Sequence, residues 1–329
     1  MGHPSTLALV TGPSNLWHLA GMLSLLEPDQ RGGEDLQVVL LVNHHSAGLD
    51  PARFVATTEE LLRCWLPAAG FCPWDGQSGT LGPGLPLGPG AWKRLLLCRP
   101  SHRPDQRLLS LCPPEEVVLF DEGIASYLEA PIPAEPLPAT RFIRLLSSPP
   151  LPSRWAGLPV DQVPPQTMAQ LLRQLLEQRP LAPPEAAQSG GGLTLVLGTC
   201  FSNYGLVSPE REASHLQAVV AERLRSDKTV VYVPHPRARH SVLDLDYWPA
   251  PLRDGRLEQW RPPGGSPAEL LGLMTTIEAV ISPGSSALIT FREWLSIPSW
   301  LSVDEPFEEF GGRSPEVRLL RSLVDCRVW

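Results

Sequence analysis

Residues 115–128 read EEVVLFDEGIASYL. After Glu116 the residues from Val117 to Phe120 are apolar without alternation, so Glu116–Phe120 reads as a short strand buried on both faces, as in a parallel sheet. It stops abruptly at Asp121-Glu122-Gly123, so a buried strand delivers two carboxylates to its tip. Working outward, "TLALVT" (Thr6–Thr11) and "LQVVLLVN" (Leu36–Asn43) have the same character. Between the strands lie stretches with helical apolar spacing: "LWHLAGMLSLLE" (Leu16–Glu27), a segment from Pro51 that carries proline at its start, and the short "DQRLLSLC" (Asp105–Cys112). Gly76–Gly90 is a loop by composition, and "IASYLEA" after Gly123 reads as a helix. Alternating strands and helices imply a parallel sheet covered on both faces.

From Pro131 to Gly192 the chain is rich in proline, serine and glycine, apart from one helix, Thr167–Gln178, with its stripe of Met168, Leu171, Leu172, Leu175 and Leu176. The "SGGG" of Ser189–Gly192 reads as a hinge. The pattern then restarts. Leu193–Gly198 is a strand, and Ser208-Pro209 opens a helix whose core face is Leu216, Val219, Val220 and Leu224. Strands follow at Lys228–Pro234, Ile277–Ser282 and Pro298–Val303, with a helix at Ser286–Ser296 and a terminal one from Pro315. The expected fold class is α/β, two Rossmann-like domains facing each other across a cleft: residues 1–188, with the proline-rich linker, and residues 189–329.

With 329 residues the chain suits two domains rather than one core. A hydrophobic content of 43% excludes wholesale disorder, and 27 basic against 35 acidic residues (net charge −8) argue against a general nucleic-acid surface. The six cysteines include no CxxC pair and suggest reduced thiols in a cytoplasm. No stretch reaches the ~18 apolar residues of a membrane span, and Met1–Thr6 lacks the positive start of a signal peptide. A cytoplasmic protein is expected, with peripheral docking at the inner face of a membrane left open. Oligomeric state is not legible.

Ligands of open parallel sheets bind beyond the carboxyl ends of the strands, and three polar signatures fall at such ends. Ser285-Ser286, after a strand and a glycine turn, sits where a helix start offers unpaired N–H groups and a positive dipole end to a phosphate; an ordinary N-cap explains it equally simply. His235 follows a strand directly and is flanked by Pro234 and Pro236, which restrict its backbone. It could donate to a phosphate leaving group, with Arg237 and Arg239 close behind. Asp121-Glu122 could supply a base that takes a proton from an attacking hydroxyl. Side chains alternate along a strand, so one of the two acids faces the cleft; the expectation falls on Asp121, with Glu122 left open. Together these parts suit glycosyl transfer by single displacement with inversion, with no metal ion or resident cofactor required.

The segments "VVLFDEG", "VVYVPHPR" and "AVISPGSSALI", in this order, together with the opening "LALVTGPSNLWHLAGML", resemble the bacterial sialyltransferases, including the capsule polysialyltransferases and the lipooligosaccharide sialyltransferases of polysaccharide biosynthesis. The resemblance implies a GT-B fold, CMP-sialic acid as donor, a glycan acceptor and no metal. It implies Asp121 or Glu122 as general base, His235 and Pro236 at the CMP phosphate, and Ser285 and Ser286 holding that phosphate. Gly198 and Thr199, in "LGTCFSN", would line the nucleotide site. A donor of another class, CMP-Kdo or a UDP-sugar, or a non-catalytic binder of the same fold, are the alternatives.

Other features read as bland. Asp244-Leu245-Asp246 mimics a metal-binding DxD but suits a surface turn. Asn43-His44-His45 lacks the further ligands of a zinc site. Among ten tryptophans, Trp248 and Trp260 are weak sugar-stacking candidates. Ser14-Asn15 could touch a ligand or cap a helix.

Overall fold

The computed structural model describes residues 6–26, 36–42, 50–82, 85–129, 139–188, 192–226, 228–236, 238, 255–303 and 314–328. The chain divides into two compact units, Met1–Gln178 and Arg179–Trp329. Each is built on an all-parallel sheet. In the first unit the strands are β1 (Thr6–Val10), β2 (Leu36–Leu41), β3 (Gly70–Trp74), β4 (Arg94–Leu97), β5 (Glu116–Phe120), β6 (Ala139–Arg144) and β7 (Val160–Gln162). Their order is β3-β2-β1-β4-β5-β6-β7. In the second unit β8 (Leu193–Leu197), β9 (Thr229–Val233), β10 (Leu257–Gln259), β11 (Ile277–Ser282), β12 (Ser299–Val303) and β13 (Asp325–Val328) are ordered β10-β9-β8-β11-β12-β13. Both units therefore wind alike: outward from the first strand on one side, then back to its other side.

The helices of the first unit are α1 (Pro13–Leu23), α2 (Pro51–Trp65), α3 (Arg103–Leu111) and α4 (Pro165–Gln178). Those of the second are α5 (Pro209–Arg225), the single turn α6 (Leu271–Met274), α7 (Ala287–Leu295) and α8 (Pro315–Leu323). Local sequence sets several starts. Asp50, Ser208 and Ser314 each accept a backbone N–H from the first turn of α2, α5 and α8, with proline at the next position. Helix α1 starts three residues ahead of the expected Leu16, because Pro13 can open it.

One face of the first sheet is covered without a full layer of helices. Leu7, Leu9, Val39, Leu95, Leu97, Val117 and Leu119 point to a core closed by Leu108 of α3 and by Leu81 and Trp92 of the loop between β3 and β4. The glycine- and proline-rich segment is thus a lid on the core, with Trp92 1% exposed. Alternate strand residues face the other way, toward the layer of α1, α2 and α4, which pack on one another.

Two expectations fail. The supposed linker from Pro131 holds β6 and β7, two strands of the first sheet. The "IASYLEA" segment is only a 3-10 turn, Ile124–Tyr127, after which Leu128 is extended. Gly123 enters it at φ 109°, which only glycine adopts readily. The supposed hinge at Ser189 lies outside the described residues except for Gly192. Among the described residues no helix is long and apolar enough to cross a membrane.

The α1–α4 contact is tight. A Cβ on Gly21 would lie 2.4 Å from Met168 Sδ and 3.2 Å from Leu145 Cδ2. Gly21→Val is expected to destabilise the first unit by about 1–3 kcal/mol through overpacking, seen as a lower midpoint in urea denaturation, whereas Gly79→Ala, with open space around it, is expected to be nearly silent.

Candidate functional site

In each sheet the connections of two adjacent strands leave in opposite directions, and the crevice outside their carboxyl ends is where open α/β sheets bind ligands. In the first unit that point lies between β1 and β4; in the second, between β8 and β11.

At the first crevice, the loop after β1 is held by Asn15, whose Oδ1 accepts from the Thr11 N–H at 2.9 Å and the Thr11 hydroxyl at 2.5 Å. Asn15 is buried and committed to this turn, and Ser14 is exposed. Strand β4 ends in Cys98-Arg99 and β5 in Asp121-Glu122. The two acids diverge, as alternation requires. Asp121 is wholly buried and turns toward the end of β6. Its carboxylate accepts from the Tyr127 hydroxyl, the Gly123 N–H, and the N–H groups of Leu145 and Leu146 at 3.1 Å each. Burial pushes its pKa up to about 6, against the pull of those four donors. Glu122 turns instead toward β4, where it forms an ion pair with Arg99 Nε and places Oε2 3.7 Å from Cys98 Sγ. Its side chain is 4% exposed; that of Arg99 is 37% exposed. Burial opposes the charge on Arg99, yet the Glu122 carboxylate beside it holds the guanidinium above its ordinary value.

The surroundings are neutral by burial. His18 of α1 donates to the Asp121 carbonyl, and desolvation pushes its imidazole down to about 3. Asp105 of α3 accepts from the Arg99 N–H at 3.2 Å and is pushed up to about 8 by burial. The turn after Gly123 is clamped from outside by Arg154 Nη2 on the Ala125 and Ser126 carbonyls and by Trp155 Nε1 on Ser126, all at 2.9 Å.

The second crevice is organised by a residue absent from the sequence reading. Glu212, in the first turn of α5 and fully buried, collects the Thr199 hydroxyl, the Phe201 N–H at 3.1 Å, the Ser202 N–H at 3.0 Å and the Ser202 hydroxyl. This fixes the loop after β8. Phe201 then packs on the turn after β11, where a Cβ on Gly284 would lie 2.4 Å from its ring. Within that turn, Ser282 Oγ accepts the N–H groups of Gly284 and Ser285 at 3.3 and 3.0 Å. Ser285 Oγ accepts the Ala287 N–H at 3.3 Å, while Ser286, the N-cap residue of α7, makes no side-chain cap. His235, at the end of β9, is half-buried, with Nε2 3.8 Å from Cys200 Sγ. Gly198 cannot carry a side chain here: a Cβ would meet the Tyr232 hydroxyl at 2.7 Å and the His235 N at 3.2 Å.

At the crevice outside β8 and β11, Cys200 thus stands beside His235, and Phe201 beside the turn that carries Ser285 and Ser286. Gly198 and Thr199 shape the crevice from beneath: Gly198 by close packing, Thr199, 3% exposed, by its bond to Glu212. Pro236 is exposed. Arg237, Arg239, Asp244, Asp246, Trp248, Asn43, His44 and His45 lie outside the described residues. Trp260 is buried. Among the described residues no three His, Cys, Asp or Glu side chains are grouped to hold a metal ion. Sequence reasoning missed Arg99, Asp105 and Glu212, and covered Cys200 only as part of the Leu197–Asn203 segment. Only Glu212 left a signal, an acid in phase with the apolar stripe Leu216, Val219 and Val220.

Nearly the whole chain aligns with solved structures. The GT-B domain of a sialyltransferase from Photobacterium damselae is similar at 12% identity with a TM-score of 0.50, over 98% of this chain and 100% of that one. The fold is GT-B. A Listeria monocytogenes protein assigned as a UDP-N-acetylglucosamine 2-epimerase shares it at 11% identity and a TM-score of 0.51, over 98% of this chain and 87% of that one. No protein-family model and no curated protein sequence matches the chain.

Two outcomes are expected. Asp105 ionises near pH 3.8 when unfolded and keeps its proton to about pH 8 when folded, so its contribution to stability is complete at low pH and is lost as pH rises to about 8. Asp105→Asn should flatten that decline, the Tm of wild type falling more than that of the variant between pH 5 and 8. Glu212→Ala leaves its donors without an acceptor and should cost roughly 3 kcal/mol or more, read from the denaturation midpoint of the second unit.

Proposed function

We propose that this chain is an inverting glycosyltransferase that moves sialic acid from CMP-sialic acid to a glycan hydroxyl. The observation that carries the reading is the second crevice. It carries two serines at the N-terminus of α7 on the turn after β11, and an imidazole after β9 beside Cys200 of the loop after β8, groups suited to a nucleotide phosphate. The sialic acid donor rests on the order of the acidic, His-Pro and Ser-Ser motifs and is in keeping with the sialyltransferase among the structures of like fold.

In this reading the base is Glu122. Asp121 spends its oxygens on four internal donors and ties β5 to β6. Glu122 turns toward β4, whose end borders the first crevice, and Arg99 positions its carboxylate. The acceptor O–H gives its proton to Glu122 as its oxygen attacks the anomeric carbon. The bond from that carbon to the phosphate oxygen breaks on the opposite face, and CMP leaves with the electron pair. His235 donates to the departing phosphate, and Ser285, Ser286 and the α7 N-terminus carry its charge. No resident cofactor is called for.

The test is incubation with CMP-sialic acid and a panel of glycan acceptors, reading CMP release and product mass. Glu122→Gln is expected to lower kcat by about 10²-fold or more with donor binding retained. Asp121→Asn should chiefly lower Tm. Ser286→Ala should weaken donor binding about 10-fold or more, as expected for loss of one hydrogen bond to a charged group. Binding of a UDP-sugar with no binding of CMP-sialic acid would transfer the reading to a UDP-sugar enzyme. Donor binding without turnover on any acceptor, unchanged by Glu122→Gln, would leave a nucleotide-sugar binder.

A further inference from the structure

Arg99 is fixed at its backbone and open at its tip. Its N–H donates to Asp105 Oδ1 at 3.2 Å, and its carbonyl accepts the His102 N–H at 2.7 Å. The guanidinium carries five N–H donors in one plane. One of them, on Nε, is engaged by Glu122 Oε1. The other four, on the two Nη groups, meet no acceptor among the described residues, and the side chain is 37% exposed. Glu122 is held just as firmly. Its N–H donates to Ser126 Oγ at 3.0 Å, and its second oxygen, Oε2, lies 3.7 Å from Cys98 Sγ. Asp105 keeps its proton at neutral pH through burial, so among the described residues Glu122 is the only ionised acid that the guanidinium meets. A buried carboxylate thus fixes one edge of the fork and leaves the outer edge, Nη1 and Nη2, in place at the carboxyl end of β4.

We propose that Arg99 is a carboxylate-binding residue, whose Nη groups take the carboxylate of a sugar bound beside Glu122. The inference rests on the reading of Glu122 as the base. A planar fork matches a carboxylate with two parallel N–H bonds, and it is already oriented here by the Nε contact, so little side-chain freedom is lost on binding. The guanidinium would then bridge two carboxylates, one of the protein and one of the ligand. Two sources of that carboxylate suit the place. In a sialic acid donor it is attached to the anomeric carbon, the atom attacked by the hydroxyl that Glu122 deprotonates. In an acidic acceptor glycan it belongs to the same sugar as the attacking hydroxyl. The pairing of a UDP-activated neutral sugar with a neutral acceptor offers neither. No proton leaves Arg99; it orients the ligand and balances its charge.

The experiment uses the full chain and ligands matched but for charge. Arg99→Gln removes the fork, and Arg99→Lys keeps a cation for Glu122 without a planar fork; if Arg99→Gln does not fold, Arg99→Lys decides. If the donor supplies the carboxylate, the Kd of CMP-sialic acid should rise about 10-fold or more, as for a lost hydrogen bond to a charged group, with the Kd of CMP unchanged. If the acceptor supplies it, wild type should prefer a glycan ending in a sugar acid to its neutral counterpart by about 10-fold or more in kcat/KM, and the variants should lose that preference. A fall in kcat that is equal for all acceptors, with both Kd values unchanged, would leave Arg99 as a partner of Glu122 alone and overturn the proposal. Should no nucleotide sugar bind, titration with sialic acid and with its methyl ester, followed by arginine side-chain NMR, separates the two readings. Binding of the acid but not the ester, abolished in Arg99→Gln, would remove the proposed transfer and leave the carboxylate site standing. Equal binding of acid and ester, or none, would overturn the site as well.

Discussion

A carboxylate buried with several N–H and O–H donors around it holds the carboxyl-end edge of each unit's sheet together. Strands of a parallel sheet end in loops whose backbone N–H groups have lost their ladder partners, and burying them unpaired costs about 1–3 kcal/mol each. Asp121 and Glu212 solve this in the same way. One collects Gly123, Leu145, Leu146 and the Tyr127 hydroxyl; the other collects Phe201, Ser202 and two hydroxyls. An acceptor-only group suits the task because everything around it donates. The desolvation cost is visible in Asp121, whose burial raises its pKa despite those donors. From these two hubs the rest follows. Asp121 fixes where Glu122 leaves the strand, and Glu212 fixes how Phe201 and Cys200 meet the turn after β11 and the end of β9.

Much of this architecture is legible in the sequence where burial is two-sided. β1, β2, β5, β8, β9 and β11 are mostly apolar because helices or loops cover both faces, and each matches the sequence reading to within two residues. The missed strands are mostly those with a free edge. β3 contains Pro73, which a central strand would not tolerate, and β7 and β10 are three residues long. β4 and β6 escape for a different reason: Arg94 and Arg141 stand within them, and their charge is met across the sheet by Glu116, at 2.6 Å from Arg94 and 4.0 Å from Arg141. A cross-strand ion pair has no one-dimensional signature.

The candidate site was legible in part for a related reason. Motifs at strand tips show themselves as polar interruptions of apolar runs, which is how Asp121-Glu122, His235 and Ser285-Ser286 stand out. What a side chain does there depends on its direction and its partners. Asp121 and Glu122 are adjacent and chemically alike, yet one is locked into the scaffold and the other borders a crevice. Thr199 looks like a ligand contact and is a tether. Arg99 and Cys200 acquire meaning only from neighbours distant in sequence.

The winding of the first sheet also has a temporal side. β1 meets β2 soon after both are made, but its other neighbour begins at Arg94, 84 residues after Val10. At roughly 5–20 residues per second of synthesis, one edge of the central strand stays unpaired for about 4–17 seconds. That edge is the one beside which Arg99 and Glu122 will later stand. A nascent chain thus exposes a row of unpaired amides along β1, and the pairing of β4 that covers them also assembles the crevice between these two strands.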